Sequence, residues 1–106
     1  MQFHLSKEKN KRESLNINTE LVLPTTKKEA QILTIIKNVL NLDVVSMNDN
    51  FYDLGGNSLS SMVILNRIKL DLGVELTLNE FLEISVISDM VHKITNKSRK
   101  KEIIIE

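Results

Sequence analysis

A serine that directly follows a pair of glycines is the residue of this chain best suited to chemistry. Gly55 and Gly56 allow backbone angles that a Cβ would penalise, and they precede Asn57 and Ser58. An amphipathic helical pattern begins at Ser58, where free backbone N–H groups and the helix dipole favour an anion. A serine in this position can be a nucleophile, a phosphate site, a modification site or only a helix cap.

Nucleophilic catalysis at Ser58 would require a base within hydrogen-bond reach and an oxyanion hole. The chain has two histidines: His4 lies in a polar N-terminal arm, and His92 falls outside the apolar stripe of the last predicted helix. The segment from Gly56 to Ser60 also lacks the second glycine of an esterase elbow. We therefore predict no catalytic residue, and a hydrolase is the least favoured class.

Metal and nucleotide sites are equally poorly supported. The chain contains no cysteine, which excludes disulfides, thiol catalysis and cysteine-ligated metals. Asp49 and Asp53 lack the ligand count of an EF-hand, and Gly55-Gly56 has neither the spacing of a P-loop nor that of a dinucleotide-binding motif. No metal site is predicted.

Composition and charge describe one small acidic domain with an aliphatic core. Of the 106 residues, 42% are apolar and only 4% aromatic. Between Glu29 and Asn96 there are four basic and nine acidic residues. A net negative charge of this kind disfavours binding to nucleic acid. No apolar run reaches the roughly 20 residues that span a bilayer, and no signal peptide is evident. We predict a cytoplasmic protein that binds neither nucleic acid nor membrane.

The first half of the domain is predicted to be one helix followed by a long loop. Residues 1–23 are polar and form an arm or linker. Thr26 and Glu29 have capping-box spacing, and the apolar pattern after them predicts a helix to about Leu40. The loop Asn41–Asn57 is rich in apolar side chains, which we expect to pack onto the helices with Phe51 as the anchor.

The second half is predicted to hold three helices. The first runs from Ser58 to about Leu72 and ends at Gly73. A short helix follows Thr77, and a last helix, capped by Ser85, extends from Val86 to about Asn96. The predicted fold is all-α: a four-helix bundle over residues 24–96 with three main helices and a short one.

The helix that begins at Ser58 carries two apolar stripes. Either the second stripe packs under the long loop or the short helix, or it is a partner-docking face that begins one residue after Ser58. A plain cap requires neither a double glycine nor an apolar stripe beside it, so the pattern favours an attachment point. The core stripe is Ser61, Ile64, Leu65, Ile68 and Leu72; the second is Leu59, Met62, Val63 and Leu70, with Asn66 among them.

The segment Asp49–Leu59 closely resembles the signature of peptidyl carrier (thiolation) domains of non-ribosomal peptide synthetases, approximately D-x-F-F-x-L-G-G-x-S-L. The similarity continues through Arg67-Ile68, Leu72–Leu76 and Phe81–Glu83, and it covers about residues 22–96. This sequence has Asn57 where the family often has His or Asp, which leaves the downstream partner open. Acyl carriers of polyketide or hybrid systems, and a non-enzymatic helical adaptor, are the alternatives.

The resemblance implies that Ser58 carries 4′-phosphopantetheine, donated by coenzyme A through a phosphopantetheinyl transferase. Gly55, Gly56 and Asn57 would form the presenting turn. The prosthetic thiol would hold an aminoacyl or peptidyl thioester and present it to adenylation, condensation and thioesterase domains. The implied partner face comprises Leu59, Met62, Val63 and Asn66.

The two ends of the chain lie outside the predicted helical domain. Residues 5–15 have some similarity to the lysine-containing end of an adenylation domain, with an ordinary basic linker as the alternative. Residues 97–106 end in a β-branched run that favours a strand but has no neighbouring strand. This tail resembles a docking segment that adds a strand to the N-terminal docking domain of a downstream subunit, the alternative being a flexible end. Its contact residues would be Lys100, Lys101, Ile103, Ile104 and Ile105, with Glu102 and Glu106 contributing charge.

Overall fold

The protein is described by a computed structural model that gives the backbone of residues 20–105 and the side chains of residues 20–98. Its helices are α1 (Lys27–Val39), α2 (Ser58–Leu72), α3 (Leu78–Leu82) and α4 (Ile87–Ile105). Within residues 20–105 the β pairing is limited to an isolated antiparallel bridge between Asn50 and Val86. The all-α prediction is confirmed. The predicted N-terminal arm lies outside the described residues up to position 19, as does the segment compared with an adenylation domain.

Capping residues set the helix ends close to where the sequence predicts them. The Thr26 side chain accepts a hydrogen bond from the Glu29 N–H at 3.1 Å and opens α1. Thr77 and Glu80 form a reciprocal capping box that opens α3. Gly73 ends α2 with a left-handed φ of 69°, as expected of a glycine at this position.

The core forms where α1 packs against α2 and α4, and α2 packs against α3. The apolar side of α1 points inward through Ile32, Leu33, Ile35 and Ile36. The core stripe of α2 points inward through Ser61, Ile64 and Ile68. Full burial of each large aliphatic side chain contributes about 1.5–3 kcal/mol to folding. The fully buried side chains include Ile32, Ile36, Leu42, Phe51, Ile64, Ile68, Phe81, Ile87, Met90, Val91 and Ile94.

The long loop between α1 and α2 is packed into this core. Phe51 is completely buried, as predicted, and Val45, Met47 and Leu54 are buried with it. Backbone hydrogen bonds join the loop to the start of α4: the Phe51 N–H donates to the Ser85 carbonyl at 2.6 Å, and the Ile87 N–H donates to the Asp49 carbonyl at 2.9 Å. The loop therefore has a defined path up to Ser58.

The last helix differs from its prediction at both ends. It begins at Ile87, and the Val86 carbonyl accepts the Met90 N–H at 3.2 Å, so Val86 rather than Ser85 occupies the cap position. It continues to Ile105 instead of ending at Asn96, so the prediction that the pattern breaks at residue 97 is wrong for this backbone.

Helix continuation has a physical reason. Each residue added to an existing helix gains a backbone hydrogen bond without a new nucleation cost, and Lys and Arg are good helix formers. Ser98 is buried, and its Oγ accepts a hydrogen bond from Lys28 Nζ of α1 at 2.8 Å, which holds this turn of α4 on the bundle. The β-branched run at residues 103–105 has no strand to pair with among the described residues. The limits of the domain and of the tail stay predictions.

Among the residues that the structure describes, no helix is both long and apolar enough to cross a membrane.

Candidate functional site: the serine at the start of α2

The two glycines before Ser58 are needed for different reasons. Gly55 adopts φ +97°, a left-handed conformation that side chains rarely tolerate, although the space around it is open. Gly56 has no such angle, but a Cβ there would overlap the ring of Phe51. Its N–H donates to the Phe51 carbonyl at 2.9 Å. Gly55 therefore allows the chain to turn, and Gly56 allows it to pass close to a buried aromatic ring.

The presenting turn is attached to α3 through two aromatic side chains. The Phe51 ring meets the Phe81 ring edge-on, with centroids 5.6 Å apart. The neighbouring Tyr52 hydroxyl donates to the Leu82 carbonyl at 2.7 Å. Just before the presenting turn, Asn50 Oδ1 accepts the Tyr52 N–H at 2.9 Å. These contacts position the start of α2 relative to α3.

Asn57, rather than Ser58, caps α2. Its Oδ1 accepts the Ser60 N–H at 2.9 Å, and Ser60 Oγ accepts the Asn57 N–H at 2.9 Å, forming a reciprocal capping box. The Ser61 hydroxyl donates to the Asn57 carbonyl at 2.7 Å. The hypothesis that Ser58 is merely a cap is therefore wrong. The sequence did carry a signal for this arrangement, because asparagine is among the best N-cap residues and a hydroxyl stands three positions later.

Ser58 is left as an exposed first residue of α2. Within residues 20–98 its hydroxyl makes no hydrogen bond, whereas Ser60 and Ser61 both use theirs to stabilise the helix start. In the same part of the chain the sole histidine, His92, has its Nε2 3.7 Å from Glu29 Oε2. No histidine contact activates Ser58 in the described residues, and the serine is exposed to solvent.

The second apolar stripe of α2 faces solvent. The side chains of Leu59, Met62, Val63 and Leu70 are 72%, 55%, 44% and 72% exposed, and Asn66 lies exposed among them. The alternative that this stripe packs under the long loop or the short helix is therefore wrong. We call these five residues the exposed face of α2. Several exposed apolar side chains on one side of a helix are typical of an interaction site.

An open groove of about 420 Å³ runs beside this face, between the end of α1 and α2. It begins at the presenting turn and extends along α2 away from Ser58. Its lining residues are Asn38, Val39, Asn57, Leu59, Ser60, Val63 and Arg67.

The carboxylates with shifted pKa values lie at other helix starts. The pKa of Glu29 is lowered chiefly by a hydrogen bond from the Thr25 backbone N–H, and that of Glu80 chiefly by one from the Thr77 N–H. Within the described residues, no group of three or more His, Cys, Asp or Glu side chains could hold a metal ion. The charge at the start of α2 comes from the helix itself, since its first turn has no acidic residue.

The family model that describes a phosphopantetheine attachment site matches residues 30–94, more than half of the chain. The chain belongs to this family. The resemblance noted in the sequence is thereby confirmed at the level of the family, and phosphopantetheine is the cofactor of this carrier domain.

Relatives and solved structures agree with this assignment. Bacitracin synthase 2 of Bacillus licheniformis is 34% identical over 77 residues, which cover 73% of this chain but 3% of that protein. The chain thus spans a few per cent of the length of the curated relatives that it matches.

Two solved structures share the fold of the carrier domain. One is the docking-domain complex of the Pax non-ribosomal peptide synthetase, PaxA T1-CDD with PaxB NDD (TM-score 0.70, 26% identity, 80% of this chain and 82% of that chain). The other is the phosphopantetheine transferase Sfp with coenzyme A and a peptidyl carrier protein (TM-score 0.66, 25% identity, 71% of this chain and 97% of that chain).

Proposed function

We propose that Ser58 is the residue to which 4′-phosphopantetheine is attached, by transfer from coenzyme A through a phosphopantetheinyl transferase. The observation that carries the proposal is that the side chains which cap α2 are not that of Ser58. Asn57 and Ser60 cap the helix, which leaves the exposed Ser58 hydroxyl without an internal role. Gly55 and Gly56 form the turn that presents it.

The residues around Ser58 suit a phosphodiester. The positive end of the α2 dipole favours a negative group, and no acidic side chain in the first turn opposes it. Ser58 itself is exposed, so its hydroxyl can be reached from solvent. When bound, the prosthetic group supplies a thiol, which a chain without cysteine lacks, and that thiol carries an acyl group as a thioester.

The carrier domain itself is non-catalytic in this proposal. Ser58 lacks a histidine partner among the described residues, where His92 lies against Glu29 instead. The serine then acts as a tether point, and the chemistry is done by the enzymes that bind the domain.

The tethered intermediates are aminoacyl or peptidyl groups of a non-ribosomal peptide synthetase. The likeness to bacitracin synthase 2 supports this choice over a polyketide or hybrid acyl carrier. Adenylation, condensation and thioesterase domains would contact the exposed face of α2, which begins one residue after Ser58. Of that face, Leu59, Met62, Val63 and Asn66 are the proposed contact residues.

The C-terminal residues 97–106 are proposed to dock to the N-terminal docking domain of a downstream synthetase subunit. The likeness to the Pax docking-domain complex supports this assignment. Because α4 continues to Ile105, docking by strand addition would require the last turns of α4 to unwind. Lys100, Lys101, Ile103, Ile104 and Ile105 remain the proposed contact residues.

Attachment is tested by incubating the purified chain with coenzyme A and a promiscuous phosphopantetheinyl transferase. Intact-mass spectrometry should show the addition of one phosphopantetheine, and peptide fragmentation should locate it on Ser58. The Ser58→Ala variant should remain unmodified while giving the same helical circular dichroism spectrum. No addition to the wild-type chain, or addition that survives Ser58→Ala, would refute the assignment and favour a helical adaptor.

Docking is tested with a chain truncated after Ser98, which keeps the buried contact to Lys28. This variant should fold and accept phosphopantetheine normally but lose capture by the cognate downstream subunit. Unchanged capture would contradict the docking role of the tail.

A further inference from the structure

We propose that Met62 is a site of reversible oxidation, and that its sulfoxide form weakens docking of the phosphopantetheinyl transferase at Ser58. This inference rests on the proposed attachment at Ser58. Three properties of Met62 support it: an accessible sulfur atom, a position beside the attachment serine, and a side chain that changes from apolar to polar when it is oxidised.

Met62 holds the most accessible sulfur atom among the described side chains. The chain contains four methionines and no cysteine. Within residues 20–98, Met62 is 55% exposed, whereas Met47 is 6% exposed and Met90 is completely buried. An oxidant dissolved in water therefore reaches the Met62 sulfur much more readily than the sulfur atoms of the other two.

Met62 lies on the same side of α2 as the attachment serine. At about 3.6 residues per turn, residue 62 is displaced from residue 58 by about 40° around the helix axis and about 6 Å along it. Leu59 and Val63 are displaced around the axis by about 100° and about 140°, so they point further from Ser58. A transferase that reaches the Ser58 hydroxyl therefore has to lie against Met62.

Oxidation converts this apolar contact into a polar one. The thioether sulfur of Met62 attacks one oxygen of hydrogen peroxide: an S–O bond forms, the O–O bond breaks, and the second oxygen leaves as water with both hydrogens. The sulfur is oxidised by two electrons, and the peroxide is reduced by them. A sulfoxide is polar, so burying it against an apolar partner surface without a hydrogen bond is unfavourable.

The fold does not depend on Met62 remaining apolar. The buried side chains of α2 are those of Ser61, Ile64 and Ile68, whereas Met62 faces solvent. The oxidised domain therefore keeps its core and its Ser58 hydroxyl. What changes is the surface that the transferase binds.

The site of oxidation is tested on the full, unmodified chain with hydrogen peroxide. The peroxide is removed at intervals, and peptide mass spectrometry measures the addition of one oxygen at each methionine. Met62 should be oxidised well before Met47 and Met90, which serve as internal references. Equal rates at these three positions would refute the assignment.

The effect on docking is measured as transfer of phosphopantetheine from coenzyme A by a promiscuous transferase. The peroxide is removed first, so that the thiol of coenzyme A stays intact. Oxidation of Met62 should lower kcat/KM roughly tenfold, as expected for the loss of one buried apolar contact. The change should lie in KM, since the reacting hydroxyl is unaltered. Methionine sulfoxide reductases should restore the rate.

Two variants separate Met62 from the other methionines, and each is compared with its own untreated sample. Met62→Leu replaces the sulfur-containing side chain with one of similar size that peroxide does not oxidise, so peroxide should not change its transfer rate. Met47→Leu retains Met62 and should slow after treatment as the wild type does. An equal decrease in Met62→Leu would overturn the proposal, because the damage would lie elsewhere.

Two results distinguish the oxidation site from the attachment site. An untreated wild-type chain that gains no phosphopantetheine refutes the attachment at Ser58. A chain that gains it equally fast before and after complete oxidation of Met62 refutes the oxidation proposal alone. The oxidised chain should also keep the helical circular dichroism spectrum of the untreated chain, and loss of that spectrum would show unfolding in place of weakened docking.

Discussion

The ring of Phe51 occupies the space into which a Cβ on Gly56 would project. This close approach joins the buried anchor of the long loop to the turn that presents Ser58. The same ring packs edge-on against Phe81 of α3, so the turn before the serine is in contact with the aromatic core.

Gly56→Ala is expected to destabilise the domain by about 1–3 kcal/mol, because the added methyl group forces the Phe51 ring or the turn to shift. The free energy of unfolding in urea measures this cost. In a Phe51→Leu background the same substitution should cost less, since the smaller side chain leaves room. Gly55→Ala provides the control: its cost comes from a left-handed backbone angle, so Phe51→Leu should not relieve it. An equal cost of Gly56→Ala in both backgrounds would contradict the steric explanation.

Asn57→Ala should lower the free energy of unfolding by about 1 kcal/mol, because it removes the side-chain cap of α2. Asn57→Asp should retain most of the stability, since a carboxylate can accept the same N–H. Ser58→Ala should change stability by less than about 0.5 kcal/mol, the usual range for a surface substitution without a specific contact. A larger loss for Ser58→Ala than for Asn57→Ala would show that the caps had been assigned to the wrong residue.

The contribution of Glu80 to stability should decrease as the solution is acidified. Hydrogen bonds from the Thr77 backbone N–H and from Lys97 favour the carboxylate and hold its pKa below the ordinary value. A lowered folded pKa stabilises the protein above the unfolded pKa of about 4.3, and this stabilisation is lost as the pH falls through the folded value.

The corresponding experiment compares wild type with Glu80→Gln, whose amide oxygen can still accept the Thr77 N–H. Unfolding free energies should differ at neutral pH and converge toward about pH 3, below the ordinary glutamate pKa. A difference that is constant with pH would show that the charge of Glu80 is not responsible.

Truncation after Asn96 should destabilise the domain more than truncation after Ser98. The shorter chain loses the hydrogen bond from Lys28 to Ser98, for which about 1 kcal/mol is typical, and the partly exposed pair of Lys97 and Glu80. Thermal and urea unfolding of the two chains measures the difference. Equal stabilities would indicate that the bundle does not need the turn that contains Ser98.

The helices of this domain could largely be predicted from local sequence. The capping pairs Thr26–Glu29 and Thr77–Glu80, and the glycine at position 73, are short-range signals whose chemistry acts within one turn. Apolar periodicity assigns the buried side of α1, and the motif around Ser58 indicates the family without reference to the tertiary structure. These features depend on residues a few positions apart, which is why sequence alone determined them.

Tertiary structure decided what depends on distant residues. The contact between Phe51 and Gly56 requires a folded loop, and the exposure of the second stripe of α2 depends on where the other helices pack. Similarly, Ser98 is buried next to α1, where Lys28, seventy positions earlier in the chain, donates a hydrogen bond to it. Local strand propensity at residues 103–105 could not reveal that an existing helix would extend through them. Contacts between residues far apart in sequence arise from packing, and no local pattern encodes them.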